Sequence, residues 1–176
     1  MGTLSSLSAK ARPTEFVSVI ACLLMLGSYS TTGHVTATVT KQETPTVALC
    51  ELISNAKLYD QKEVRVKAVY RVGYEWQELY CIGCYSDENR IWLDFDDDFD
   101  SCTKKTVRRK LKSVEGTYAV TLIGKLIGSD GRYGHMGSYR FKFLARCAER
   151  VDLLLKDGRA PTLVPTEKIE NACPKR

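Results

Sequence analysis

The chain has only two histidines, His34 and His135, and five prolines in 176 residues. With only these two histidines, no Ser-His-Asp arrangement can be argued. The longest apolar run, Phe16 to Leu26, is broken only by Ser18 and falls short of the roughly 20 residues that span a bilayer comfortably. No GK[ST] follows a glycine-rich stretch, so a phosphate-binding loop is excluded. There is one CxxC, Cys81-Ile82-Gly83-Cys84, and no second CxxC or histidine pair completes four zinc ligands. There is no internal repeat. What remains is an ordinary globular composition, 44% hydrophobic and 27% charged, with a net charge of +5 and a pI near 8.8. That balance is too mildly basic to define a partner.

Residues 1–30 read as an export signal. Lys10 and Arg12 precede the apolar run, and Gly27, Ser28, Tyr29 and Ser30 place small residues around a cleavage point after Ser30. A retained segment over residues 16–29 would instead anchor the chain to a membrane. Cys22 follows Ala21 as a lipidated cysteine would, but Leu23, Leu24, Met25 and Leu26 continue the apolar run beyond it. Cleavage removes Cys22 and leaves Cys50, Cys81, Cys84, Cys102, Cys147 and Cys173. An even six in an exported chain is a disulfide framework with 15 possible connectivities. Cys102 paired with Cys81 or Cys84 is the expected bridge, because these positions flank one strand.

Thr-rich residues 31–44 form a flexible lead-in. A helix is expected over 45–58: Pro45 suits a first helical position, and Leu49, Leu52, Ile53 and Ala56 share one face. From Lys62 to Val72 the period becomes two, with Val64, Val66, Ala68, Tyr70 and Val72 inward and Arg65, Lys67 and Arg71 outward. Glu75 to Cys81 and Arg90 to Phe95 are the second and third strands. The acidic run Asp94 to Asp100 is a solvated loop, lacking the central glycine and distal glutamate of an EF-hand. Thr103 to Val114 is a basic helix with a narrow apolar stripe at Val107, Leu111 and Val114. Thr117 to Ile127 is the fourth strand, and the fifth carries Tyr139, Phe141, Phe143, Ala145 and Cys147 inward. Residues 157–176 form an irregular tail.

Three strands, a helix and two strands is the order of the OB-fold, a five-stranded Greek-key barrel with a helix between its third and fourth strands. A mainly β domain over residues 45–156 with an added N-terminal helix is therefore expected, ahead of a β-sandwich or an open α+β sheet. The runs Tyr59-Asp60-Gln61-Lys62-Glu63-Val64, Glu75-Trp76-Gln77-Glu78-Leu79-Tyr80 and Gly134-His135-Met136-Gly137-Ser138-Tyr139 resemble uncharacterised exported bacterial OB-type proteins over about residues 45–152. The resemblance implies fold and export, and brings no activity or catalytic residues with it.

An OB-fold binds through the face of its second and third strands and the loops beside it. That points to Tyr74, Trp76, Trp92, Arg132, Tyr133 and His135, where rings beside cations can stack on planar ligands. His135 and Tyr139 have the His-x-x-x-Tyr spacing of periplasmic OB-fold haem chaperones. There the motif lies beyond the barrel, whereas here it falls in a hairpin with Tyr139 at core parity, so no cofactor is expected. The CxxC follows a strand rather than opening a helix, which favours structural disulfides over thioredoxin chemistry. The basic helix suits an anionic surface or polysaccharide, and export argues against genomic nucleic acid. The expectation is a non-enzymatic exported binding module, its partner an envelope protein, a polysaccharide or an anionic surface. The alternatives are a hydrolase or metal-dependent enzyme using His135 with Glu75 or Asp130, and a protein inhibitor or assembly subunit.

Overall fold

The structure, a computed structural model, describes residues 43–111, 115–128, 131–156 and Cys173. The signal segment, most of the lead-in and the tail other than Cys173 lie outside these residues. The described chain is mainly β. Six strands, β1 (Thr46–Ala48), β2 (Glu63–Val72), β3 (Gln77–Tyr80), β4 (Ile91–Phe95), β5 (Gly116–Ile127) and β6 (Phe141–Leu155), make one mixed sheet. Its order is β1-β2-β3-β4-β6-β5, and β2 also pairs with β5 along its whole length. Pairing thus runs from β2 through β3, β4, β6 and β5 and returns to β2. Every contact in that circuit is antiparallel except the parallel pair β4–β6.

Alternation puts the expected side chains in the core. Val64, Val66, Ala68 and Tyr70 are buried, as are Ile91 and Leu93, Tyr118, Val120 and Leu122, and Phe141, Phe143 and Ala145. Val72 and Phe95 are half-buried against the same cluster. Gly124 marks where β5 and β6 come closest. A Cβ there would lie 2.2 Å from the Leu144 carbonyl oxygen, beside a register shift in the β5–β6 ladder.

Three expectations are corrected. The leading helix does not start at Pro45: Thr46–Ala48 is the strand β1, parallel to Arg65–Lys67 of β2. β3 is short and covers only Val69–Val72 of the same edge of β2. The rest of that edge would expose unpaired backbone, and β1 covers it. The Arg65 N–H donates to the Pro45 carbonyl at 2.8 Å and Val47 is buried. Only then do helices α1 (Leu49–Ser54) and α2 (Ala56–Tyr59) follow, with Leu49 and Leu52 buried as their shared face requires.

The acidic run is the second correction. It ends in a helical turn, α3 (Phe99–Cys102), because Phe99 is 3% exposed and its ring sits 4.5 Å from that of Phe95. α4 (Lys105–Leu111) follows with Leu111 buried and Val107 half-buried, as its stripe predicts. The third correction is the disulfide pairing: Cys50–Cys84, Cys81–Cys173 and Cys102–Cys147. Cys102 reaches across to β6 rather than back to the CxxC. The two CxxC cysteines take different partners, one on α1 and one near the C-terminus, so the motif acts as a double staple point.

Candidate functional site

β2, β3 and β4 present a second face, away from the main core. Directly opposed residues on neighbouring strands share a face, and Arg71, Glu78 and Trp92 are opposed across β2, β3 and β4. Glu78 is fully buried. One of its carboxylate oxygens pairs with Arg71 Nη2; the other accepts from Arg90 Nη1 at 3.0 Å and from the Tyr139 hydroxyl at 2.6 Å. A buried carboxylate is tolerated only when paired and hydrogen-bonded, and three donors from three segments meet that demand. Arg90 also reaches the exposed Asp87 at 3.4 Å.

Aromatic rings roof the cluster. The Arg71 guanidinium lies 5.5 Å from the Trp76 ring centroid and that of Arg90 lies 5.2 Å from the Tyr139 ring. Trp92 and Tyr139 are 5.3 Å apart. The chain beyond Gly131 returns over this face: Tyr133 and Tyr139 bridge each other through paired backbone hydrogen bonds of 2.9 and 3.1 Å. Gly134 makes the approach possible. Its φ is +70°, and a Cβ would lie 2.3 Å from the Trp92 ring. Lys142 stands 5.5 Å from the Tyr133 ring and 3.7 Å from Asp94.

Burial, followed by the hydrogen bond to Glu78, raises the Tyr139 hydroxyl far above the usual tyrosine range. Burial would lower the Arg90 guanidinium, but Glu78 and the other neighbours outweigh it and hold it up. Beside the cluster Tyr80 is fully buried with its hydroxyl unpartnered, and burial raises it in the same way. Arg71 Nε, Arg90 Nε and Trp76 Nε1 are buried donors without an acceptor. The two guanidiniums are balanced by the carboxylates of Glu78 and Asp87, and the unpartnered donors are enclosed rather than offered to solvent.

The residues expected to bind divide into two groups. Trp76, Trp92 and Tyr133 are half-buried around this cluster, with Trp76 lying over Gly73 as well as Arg71. Tyr74 is 92% exposed, and Arg132 and His135 are also exposed. Arg132 packs by its stem against Gly137, where φ is +64°. Tyr139, paired with His135 in the haem-chaperone spacing, is 4% exposed with its hydroxyl committed to Glu78. Of the residues named for a hydrolase, Glu75 and His135 are both exposed, and Asp130 lies outside the described residues. Among the described residues no three His, Cys, Asp or Glu side chains gather as a metal site, and no helix is long and apolar enough to cross a membrane.

Sequence reasoning missed Glu78, Arg71 and Arg90. Only the outward parity of Arg71 hinted at them. The sequence matches no protein-family model and no curated protein.

Proposed function

We propose that the protein is an exported, non-enzymatic binding module built on an OB-like Greek-key barrel. The circuit β2-β3-β4-β6-β5-β2 supports the barrel, as does the placement of α3 and α4 between β4 and β5. On that reading β1, α1 and α2 are additions, and resemblance to exported bacterial OB-type proteins extends over the same stretch. Three disulfides support export, since such bridges persist in oxidising compartments. The signal segment then ends near Ser30, and mass spectrometry of the native protein should give an N-terminus near Thr31. An intact Met1 in a cytosolic fraction would contradict export.

The observation that carries the binding reading is the roofed Arg71–Glu78–Arg90 cluster. The rings of Trp76 and Tyr139 stand over two guanidiniums held by a fully buried carboxylate. Trp92 packs against Tyr139, and Tyr133 is bridged to Tyr139 through the backbone. Fixed aromatic and arginine anchors are what hot spots consist of. The exposed Arg132 at the loop tip would favour a partner carrying negative charge, such as an acidic envelope polysaccharide or an acidic protein segment. Tyr74, Arg132 and His135 at the loop tips would make the outer contacts.

The test is capture from envelope extract with the native protein as bait, followed by stoichiometry. A saturable complex in which the partner is recovered unchanged supports a binding module. Release of a processed product with turnover would replace it with the hydrolase reading.

A further inference from the structure

The three disulfides differ in access to solvent. Cys81 is 3% exposed, and Cys50, Cys84 and Cys173 are half-buried, all packed against a hydrophobic cluster. Cys102 is exposed, whereas its partner Cys147 is 6% exposed. This bridge therefore joins an exposed residue to a buried one. It lies in a surface groove of about 770 Å³, which also contains Lys104, Arg65 and Arg146. That volume suits a small-molecule ligand.

Charge in the groove is uneven. Arg65 is held by Glu149 in a fork at 3.0–3.2 Å, and Arg146 by Glu63 at 2.7 and 2.9 Å. Lys104, two residues from Cys102, has no ion-pair partner among the described residues, and Glu43 lines the same groove beside Arg65. A cation in the groove favours the thiolate of an approaching thiol and, in the second step, that of the released Cys102.

α3 does not depend on the bridge for its place. Phe99 is buried against Phe95, and the buried Thr103 hydroxyl oxygen accepts from the Ala148 N–H at 2.9 Å. These contacts fix the chain on both sides of Cys102, so opening the bridge is a local event.

We propose that Cys102–Cys147 is a thiol-exchange site for a low-molecular-weight thiol bearing carboxylates, while the other two bridges are structural. The incoming thiolate attacks Sγ of Cys102, the exposed residue of the pair, forming a mixed disulfide as the Cys102–Cys147 bond breaks. The electron pair leaves on Cys147 Sγ, which takes a proton from water. A second molecule of the same thiol attacks the sulfur of the first, releasing Cys102 as a thiol. Two thiols are oxidised to one disulfide, and one protein disulfide is reduced to two thiols. Exchange rates depend on which sulfur can be reached, and here Cys102 is the more exposed residue of the two.

The experiment exposes the oxidised full chain to graded reduced glutathione, traps free thiols by alkylation and assigns each cysteine by mass spectrometry. Cys22 is thereby scored separately. The expected result is glutathione on Cys102 and a free thiol on Cys147 at concentrations at least tenfold below those that open the other bridges, with far-ultraviolet circular dichroism unchanged. Simultaneous opening of all three bridges, earlier opening of Cys50–Cys84, or an adduct on Cys147 would overturn the proposal. Lys104→Glu should slow exchange with glutathione several-fold while leaving exchange with neutral 2-mercaptoethanol little changed. Equal slowing with both thiols would remove the role given to the cation. A Cys102→Ser/Cys147→Ser variant should fold, and its failure to fold would show the bridge to be structural.

Discussion

Arginine–glutamate pairs occur in two regions of this molecule, and the same chemistry plays different parts in them. On the face of β2, β3 and β4, Glu78 is fully buried and the side chains of Arg71 and Arg90 are 13% and 20% exposed. In the groove beside β6, Arg65–Glu149 and Arg146–Glu63 have side-chain exposures of 22–40%. Buried charges cost several kcal/mol each to desolvate, so removing one partner leaves an uncompensated charge. Exposed pairs exchange protein contacts for water at a net gain of about 0–1 kcal/mol. The buried cluster is thus a fixed part of the structure, on which rings and loop are assembled. The groove pairs organise a wet surface.

The largest expected break in that comparison is Glu78→Ala. It leaves Arg71 and Arg90 facing each other without their carboxylate and should lower stability by about 3–5 kcal/mol, measured by urea unfolding. A loss below 1 kcal/mol would place the cluster in the same class as the groove. Alkaline pH acts on the same region. Burial, the largest cause at each, raises Tyr70, Tyr80 and Tyr139 far above the ordinary tyrosine range. In the unfolded chain tyrosines ionise near pH 10, so this stability is fully present below about pH 10. It is lost as pH rises toward the folded-state values, by on the order of 1 kcal/mol per buried tyrosine per pH unit. Urea midpoints at pH 8 and pH 11 should differ accordingly, and equal midpoints would contradict the burial.

A smaller step is Tyr139→Phe, which removes one hydrogen bond to a carboxylate that Arg71 and Arg90 still hold. It should cost about 1.5–3 kcal/mol and reduce the alkaline loss, both read from the same titrations. The smallest is Glu149→Gln, which opens a pair between a half-buried arginine and an exposed glutamate and should cost less than about 1 kcal/mol. A cost of several kcal/mol there would erase the distinction between the two regions.

Legibility in the sequence followed the range of the interactions. Period-two spacing at Val64, Val66, Ala68 and Tyr70 and the stripe of Val107 and Leu111 reflect burial of one face, a local property readable from neighbours. β1 was hidden because Pro45 and the residues after it resemble a helix start, while the edge it covers belongs to β2. β6 continues past Cys147 to Leu155, but its register shifts against β5 interrupt the alternation around Glu149 and Arg150. Phe99 lay among aspartates and gave no periodic signal. Glu78 has partners 12 and 61 residues away in Arg90 and Tyr139. The disulfides span 34, 92 and 45 residues. Such pairings are set by the sheet, so spacing in the sequence could indicate candidates but not partners.

The central claim is that recognition belongs to the roofed cluster and its loops rather than to the basic helix. The direct measurement compares affinity for the partner recovered from envelope extract among wild type, Trp76→Ala, Tyr133→Ala and Lys105→Ala/Arg109→Ala, with melting temperatures recorded beside it. Each ring variant should lose on the order of 1–3 kcal/mol of binding, while the helix variant should change chiefly the salt dependence. If Trp76→Ala and Tyr133→Ala lower only the melting temperature, and Lys105→Ala/Arg109→Ala abolishes binding, the rings are packing and the site is on α4.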